Sequence, residues 1–193
     1  MKLFARSPIR PLARSLLVAA ALLALPRDGQ GQGTLTQEEA LRLAFPAPAH
    51  IERRTAYLDE AQLSHAKKLA GGGIEITQRV ITYYEGKRAD AVTGVAYFDS
   101  HRVRTVGEVL MIVVGRGDEI QRIEVLRFSE PPEYKASGAW LEQFDDKKLG
   151  PDLSLKRGIV NMTGATLTSV AVTNAARRVL ALHAVIQPFG KAR

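Results

Sequence analysis

The spacing of apolar residues changes along the chain, and the changes mark out its elements. Leu35-Thr36-Gln37-Glu38-Glu39-Ala40 has the form of a capping box, with Thr36 as N-cap and Glu39 at the third helical position. Leu41, Ala44 and Phe45 then fall on one face, and Pro46 and Pro48 end the helix. A second helix is expected from Asp59 to Ala70, with Asp59 and Gln62 as its cap pair and Gly71-Gly72-Gly73 as its terminator. From Ile74 onward the pattern becomes extended. The stretches 74–84, 91–99, 103–114 and 119–128 are rich in β-branched and aromatic residues, with turns expected at Glu85-Gly86-Lys87 and at Gly115-Arg116-Gly117-Asp118. Every position from Val109 to Val114 is apolar, as in a strand covered on both faces. A short helix is expected around Trp140 to Phe144. Finally Val172, Ala175, Ala176, Val179, Leu182 and Ile186 recur at three- and four-residue spacing, the buried stripe of a helix from about Ser169 to Ile186. The fold class that follows is α+β: a mainly antiparallel sheet packed by helices, with a long helix near the C-terminus.

The last helix begins at a turn crowded with hydroxyls, Thr163-Gly164-Ala165-Thr166-Leu167-Thr168-Ser169. Two readings of this turn stand side by side. Threonine and serine are favoured N-caps, so the cluster could simply start the helix. The first N–H groups of a helix also lack intrahelical partners and carry the positive end of its dipole, which suits a phosphate. Gly164 and Ala165 leave room for a bulky group to approach the backbone.

The string T-G-A-T-L-T over residues 163–168 resembles the flavinylation motif [S/T]-G-A-[S/T]-x-[S/T] of the FMN-binding domains in extracytoplasmic subunits of Rnf-type and sodium-translocating NADH:quinone oxidoreductases. That resemblance implies FMN held by a phosphoester to Thr168, with Thr163, Gly164, Ala165, Thr166 and Leu167 forming the surrounding turn and Ser169 the fallback acceptor. It implies a flavin transferase, with FAD as donor, as the maturation partner. Val160 stands where the family often has an acidic residue. The resemblance extends to the hairpin followed by Phe128-Ser129-Glu130-Pro131-Pro132-Glu133-Tyr134. There Glu130 and Pro132 keep the register of the family's Glu-Thr-Pro-Gly-Leu-Gly, while its threonine and glycines are replaced. On this reading Glu130 belongs to the flavin site, and the 130–134 loop flanks the ring.

Composition narrows the function further. The formal charge is +7, but Lys2, Arg6, Arg10, Arg14 and Arg27 against Asp28 hold +4 of it, leaving +3 beyond residue 32. No basic stripe with interleaved aromatics points to nucleic acid. Four of the basic residues, Lys2, Arg6, Arg10 and Arg14, precede an apolar run from Leu16 to Leu25, about ten residues and so half the roughly twenty of a membrane span. This reads as a signal peptide over 1–31, cleaved near Gly29-Gln30-Gly31, and gives a periplasmic or extracytoplasmic location, free or membrane-associated. A helical segment over 32–73 and an FMN-binding domain over 74–193 would follow. Cysteine is absent, which removes disulfides, thiolate catalysis, iron–sulfur ligation and c-type haem attachment. His50, His65, His101 and His183 show no ligand spacing for a metal. His183 reads as a structural histidine, and His101, next to Arg102 and Arg104, as part of a strand-end loop of mixed charge, the alternative being that it faces an anionic group.

The expected function is an electron-transfer flavoprotein, a carrier or redox subunit that exchanges electrons with a redox protein or membrane complex. A flavin-dependent reductase of a small substrate and a module holding FMN noncovalently are the alternatives.

Overall fold

Both capping boxes near the N-terminus form in a computed structural model of the protein, which describes residues 35–190. The signal segment expected over 1–31 lies outside the described residues. Thr36 caps α1 (Gln37–Ala44) and exchanges hydrogen bonds with Glu39. Asp59 does the same with Gln62 at the start of α2 (Glu60–Ala70), which ends at Gly71 with φ 99°, a conformation suited to glycine.

Between the two helices lies a strand that the periodicity does not reveal, β1 (His50–Tyr57). It pairs with β2 (Val80–Arg88), and the sheet continues through β3 (Ala91–Arg102), β4 (Gly107–Gly115) and β5 (Ile120–Phe128). The five strands form an antiparallel meander in chain order. The 32–73 segment is therefore not purely helical: it supplies an edge strand as well as α1 and α2. The expected strand over 74–84 begins only at Val80, because the preceding residues form an irregular stretch that buries Ile76 in the core.

The sheet is covered on both faces, as the unbroken apolar run in β4 implies. Leu110, Ile112 and Val114 pack into the larger core with α2 and with α4 (Thr166–Ile186), while Met111 and Val113 join Ala40, Leu41 and Phe45 of the α1 side. The expected turn at 85–87 does not form. The strand runs on to Arg88, and the chain reverses at Ala89 and Asp90, with Ala89 at φ 50°. Gly86 serves a different purpose: a Cβ there would overlap the Phe45 ring, and Phe45 lies close to Gly94 on β3 as well. Gly86→Ala is accordingly expected to lower stability by about 1–3 kcal/mol through overpacking, read by urea unfolding.

After β5 a 3-10 turn (Pro132–Tyr134) leads to α3 (Gly138–Leu141) and a second 3-10 turn (Glu142–Phe144). Trp140 and Phe144 meet edge to face, ring centroids 5.3 Å apart, and Phe144 is fully buried. Arg177 ties the return segment to α4 by donating to the carbonyls of Ala70, Gly150 and Leu153 at 2.8, 2.8 and 3.0 Å. No helix among the described residues is long and apolar enough to cross a membrane.

Candidate functional site

The approach to α4 is fixed before the hydroxyl turn begins. Trp140 donates its indole N–H to the Val160 carbonyl at 2.7 Å, and the Val160 N–H bonds to Gln143 Oε1 at 2.8 Å. The Val160 side chain, 71% exposed, projects outward. Asn161 then bonds the Thr166 hydroxyl at 2.9 Å. Gly164 sits at φ 81°, a conformation that strains any side-chain-bearing residue, and the space where its Cβ would stand is open.

The hydroxyls do not cap the helix. The N-cap position is Ala165, and no side chain bonds the first-turn amides from it. The Ala165 N–H reaches back to the Met162 carbonyl and the Ser169 N–H to the Ala165 carbonyl. Among the described residues, the N–H groups of Thr166, Leu167 and Thr168 receive no such bond. Three adjacent donors at the positive end of a 21-residue helix are therefore left to whatever occupies the space in front of them.

That space is a pocket of about 280 Å³ built by three separate parts of the chain. The β3–β4 loop contributes Val103 and Arg104, the segment after β5 contributes Glu130 and Tyr134, and Gly164 to Thr168 form the helix wall. Glu130 is anchored by the Thr105 N–H, 3.3 Å from its Oε1, so the first two walls brace each other. Arg104 and Glu130 face the same pocket with no ion pair between them, which leaves one positive and one negative group for a ligand with both acceptors and donors.

The residues singled out in the sequence thus fall into two groups. Thr168, Thr166, Leu167, Ala165, Gly164 and Glu130 share the pocket lining. Thr163 is exposed beside it, and Ser169 is fully buried behind it, its Oγ donating to the Ala165 carbonyl at 3.2 Å and accepting the Met162 N–H at 3.0 Å. Thr168 is 1% exposed, and its Oγ1 donates to the Tyr134 carbonyl at 2.8 Å. Sequence reading did not single out Val103 and Arg104 as pocket residues. They reach the pocket only because the β3–β4 hairpin folds beside α4, and no local motif marks them.

His101 also stands differently from its expected place in a loop. It lies within β3, with its two ring nitrogens against Asp99 and Glu108 at 2.8 and 3.0 Å. Burial opposes the charge of its ring, but the hydrogen bonds to the two carboxylates outweigh burial and raise its pKa to about 9. His183 is buried as a structural histidine, bonded to the Tyr97 hydroxyl at 3.0 Å and to Asp118 at 3.2 Å, and burial holds its pKa below the ordinary value.

Residues 107–181 match a protein-family model described as the FMN-binding domain. The matched stretch runs from the start of β4 into α4 and contains Glu130, Tyr134 and the whole 163–169 turn. No curated protein matches the chain.

Proposed function

We propose, from the match of residues 107–181 to the FMN-binding domain model, an exported electron-transfer flavoprotein whose FMN is joined through its phosphate to Thr168. The observation that carries the reading is the uncapped start of α4: three unpartnered N–H groups and the Thr168 side chain line one pocket. Uncapped amides suit phosphate oxygens, and the open space over Gly164 lets a phosphate approach the backbone. Loading would join Thr168 Oγ1 to the FMN phosphorus of FAD, break the pyrophosphate bond and release AMP, while the hydroxyl proton is lost. A separate flavin transferase catalyses that step, so Thr168 is its substrate. FMN, once bound, supplies the electron-accepting and electron-donating chemistry, while the chain positions it. Tyr134, Glu130, Val103 and Arg104 then form the remainder of its surroundings, and a redox protein or membrane complex exchanges electrons with it.

A second reading, FMN held in the same pocket without a covalent bond, is favoured by the burial of Thr168 and its hydrogen bond to Tyr134. Co-expression with a flavin transferase, followed by denaturation, separates the two. A covalent gain of one FMN less one water, mapped to the peptide containing 163–169, supports the ester. Flavin that leaves on denaturation supports the second reading.

The outward-facing Val160 gives a subsidiary expectation. Its backbone is pinned, its side chain is exposed and it is not a pocket-lining residue, so it bears on recognition by the transferase rather than on FMN. Val160→Asp is expected to raise the initial rate of flavinylation while leaving the unfolding free energy within about 0.5 kcal/mol of wild type, as for an ordinary surface change.

A further inference from the structure

Four charged side chains meet where the β3–β4 hairpin packs beside α4. Asp99 and His101 project from β3, Glu108 from β4 and Arg178 from α4, the helix that also bears Thr168. Arg178 binds the Asp99 carboxylate in bidentate fashion, Nε to Oδ2 at 2.7 Å and Nη2 to Oδ1 at 2.8 Å. His101 Nδ1 meets the same Oδ1 at 2.8 Å, and its Nε2 meets Glu108 Oε2 at 3.0 Å. Asp99 is 8% exposed and Glu108 not at all, and the second oxygen of Glu108 has no hydrogen-bond partner.

Ionised carboxylates only accept hydrogen bonds, so an imidazole placed between two of them can donate both ways only when it is protonated. In that state the four charges cancel. Take the ring proton away, and the buried Glu108 loses the one group that compensates its charge, a costly arrangement that the hairpin can relieve by shifting.

The position of the cluster gives it a role. His101 and Glu108 are cross-strand partners near the end of the β3–β4 hairpin, and its loop carries Val103 and Arg104 into the pocket. Asp99 and Arg178 connect that hairpin to α4, whose first turn is the opposite wall. We infer that His101 is a positioning residue of the flavin site: clamped between Glu108 and Asp99, and through Asp99 to Arg178, its imidazolium fixes the Val103–Arg104 wall against the wall bearing Thr168. The inference rests on the reading of this pocket as the flavin site.

Protons reach the cluster from solvent, since Asp99 also lines a separate cleft of about 320 Å³ between β2 and β3. The groups acting on the ring are Asp99 of β3 and Glu108 of β4, with Arg178 of α4 behind Asp99; Glu75, ahead of β2, acts on Arg178. Phe128, opposite Glu108 on β5, adds no charge. Because the folded pKa of His101 is raised to about 9 from 6.5, the clamp is complete below the unfolded value and is lost as the pH rises through about 9.

The test uses full-length protein. In the unloaded chain, NMR titration of His101 should give a midpoint near pH 9, and Glu108→Gln, which keeps an acceptor for Nε2, should lower it by about 1–3 units. In the flavinylated protein, redox potentiometry from about pH 6 to about pH 10 should show a break in the slope of midpoint potential against pH at the His101 titration. The break should disappear in His101→Gln and move downward in Glu108→Gln, whereas a purely structural histidine would leave the profile unchanged. A wild-type chain that takes no flavin sinks the flavin reading and this inference with it. Loaded wild type and variants with one common profile, or a His101 midpoint near pH 6.5, overturn this inference alone. Should His101→Gln fail to fold, Glu108→Gln decides by the same comparison.

Discussion

Thr168→Ala, co-expressed with a flavin transferase, is expected to emerge with no covalent flavin: no in-gel fluorescence and an unmodified mass. The loss should be complete because the alternatives are structurally closed. Ser169, the adjacent hydroxyl, is fully buried, spends its Oγ on the Ala165 carbonyl and the Met162 N–H, and does not line the pocket. Thr166 lines the pocket, but its hydroxyl is held by Asn161 at the outer side of the turn. Thr168→Ser keeps the reacting oxygen at the same position and should retain the adduct. The alanine variant loses one hydrogen bond to Tyr134, worth about 1 kcal/mol, so it folds and its blank result reports on chemistry. An adduct that persists on Thr168→Ala would place the acceptor elsewhere and end the phosphoester proposal.

The largest effect on stability is expected from Arg178→Met. Methionine fills much of the space but removes two short hydrogen bonds from the buried Asp99, which is left with only His101 to balance it. Breaking one side of a buried ion pair costs about 3–5 kcal/mol, roughly 10 °C in the unfolding midpoint for a domain of this size. The pH dependence identifies the cause. Burial works against ionisation of Asp99, and the hydrogen bonds from Arg178 and His101 overcome it, so its pKa lies below the ordinary value. A depressed carboxyl pKa gives stability that is present above the unfolded value and lost as pH falls through the folded one. The wild-type advantage over Arg178→Met should therefore be greatest near neutral pH and shrink as the pH falls below about 4, where a protonated Asp99 needs no cation. Urea unfolding at both ends of that range checks it. An equal deficit at the two pH values would trace the loss to packing rather than to charge.

How far the sequence could be read depended on the range of the interaction. The capping boxes at Thr36 and Asp59 close within four residues, and both could be read directly. β1 could not, because its side chains are mostly exposed or half-buried and its conformation comes from pairing with β2. Gly86 misled the turn assignment for a related reason: it is glycine to admit the Phe45 ring from another element, not to reverse the chain. The 163–168 string is local, and Glu130 has its place after the hairpin; the fold brings residues 164–168 and Glu130 to one pocket. Arg104 and the charged partners of His101 could not be found that way, since they come together only when the β3–β4 hairpin packs beside α4.

The hydrogen bond from Thr168 to the Tyr134 carbonyl bears on the order of events in maturation. The Thr168 oxygen is shielded, and its proton is already committed to the backbone of the 132–134 turn. If Thr168 is the acceptor as proposed, a transferase would act only on the fraction of molecules in which that hydrogen bond is open, and the loading rate would be the intrinsic rate multiplied by an opening equilibrium. An esterified oxygen would have no proton to return, and the Tyr134 carbonyl would need water or another donor. Loading would then be self-marking: the segment after β5 should relax in a loaded protein, measurable as faster amide exchange around Tyr134.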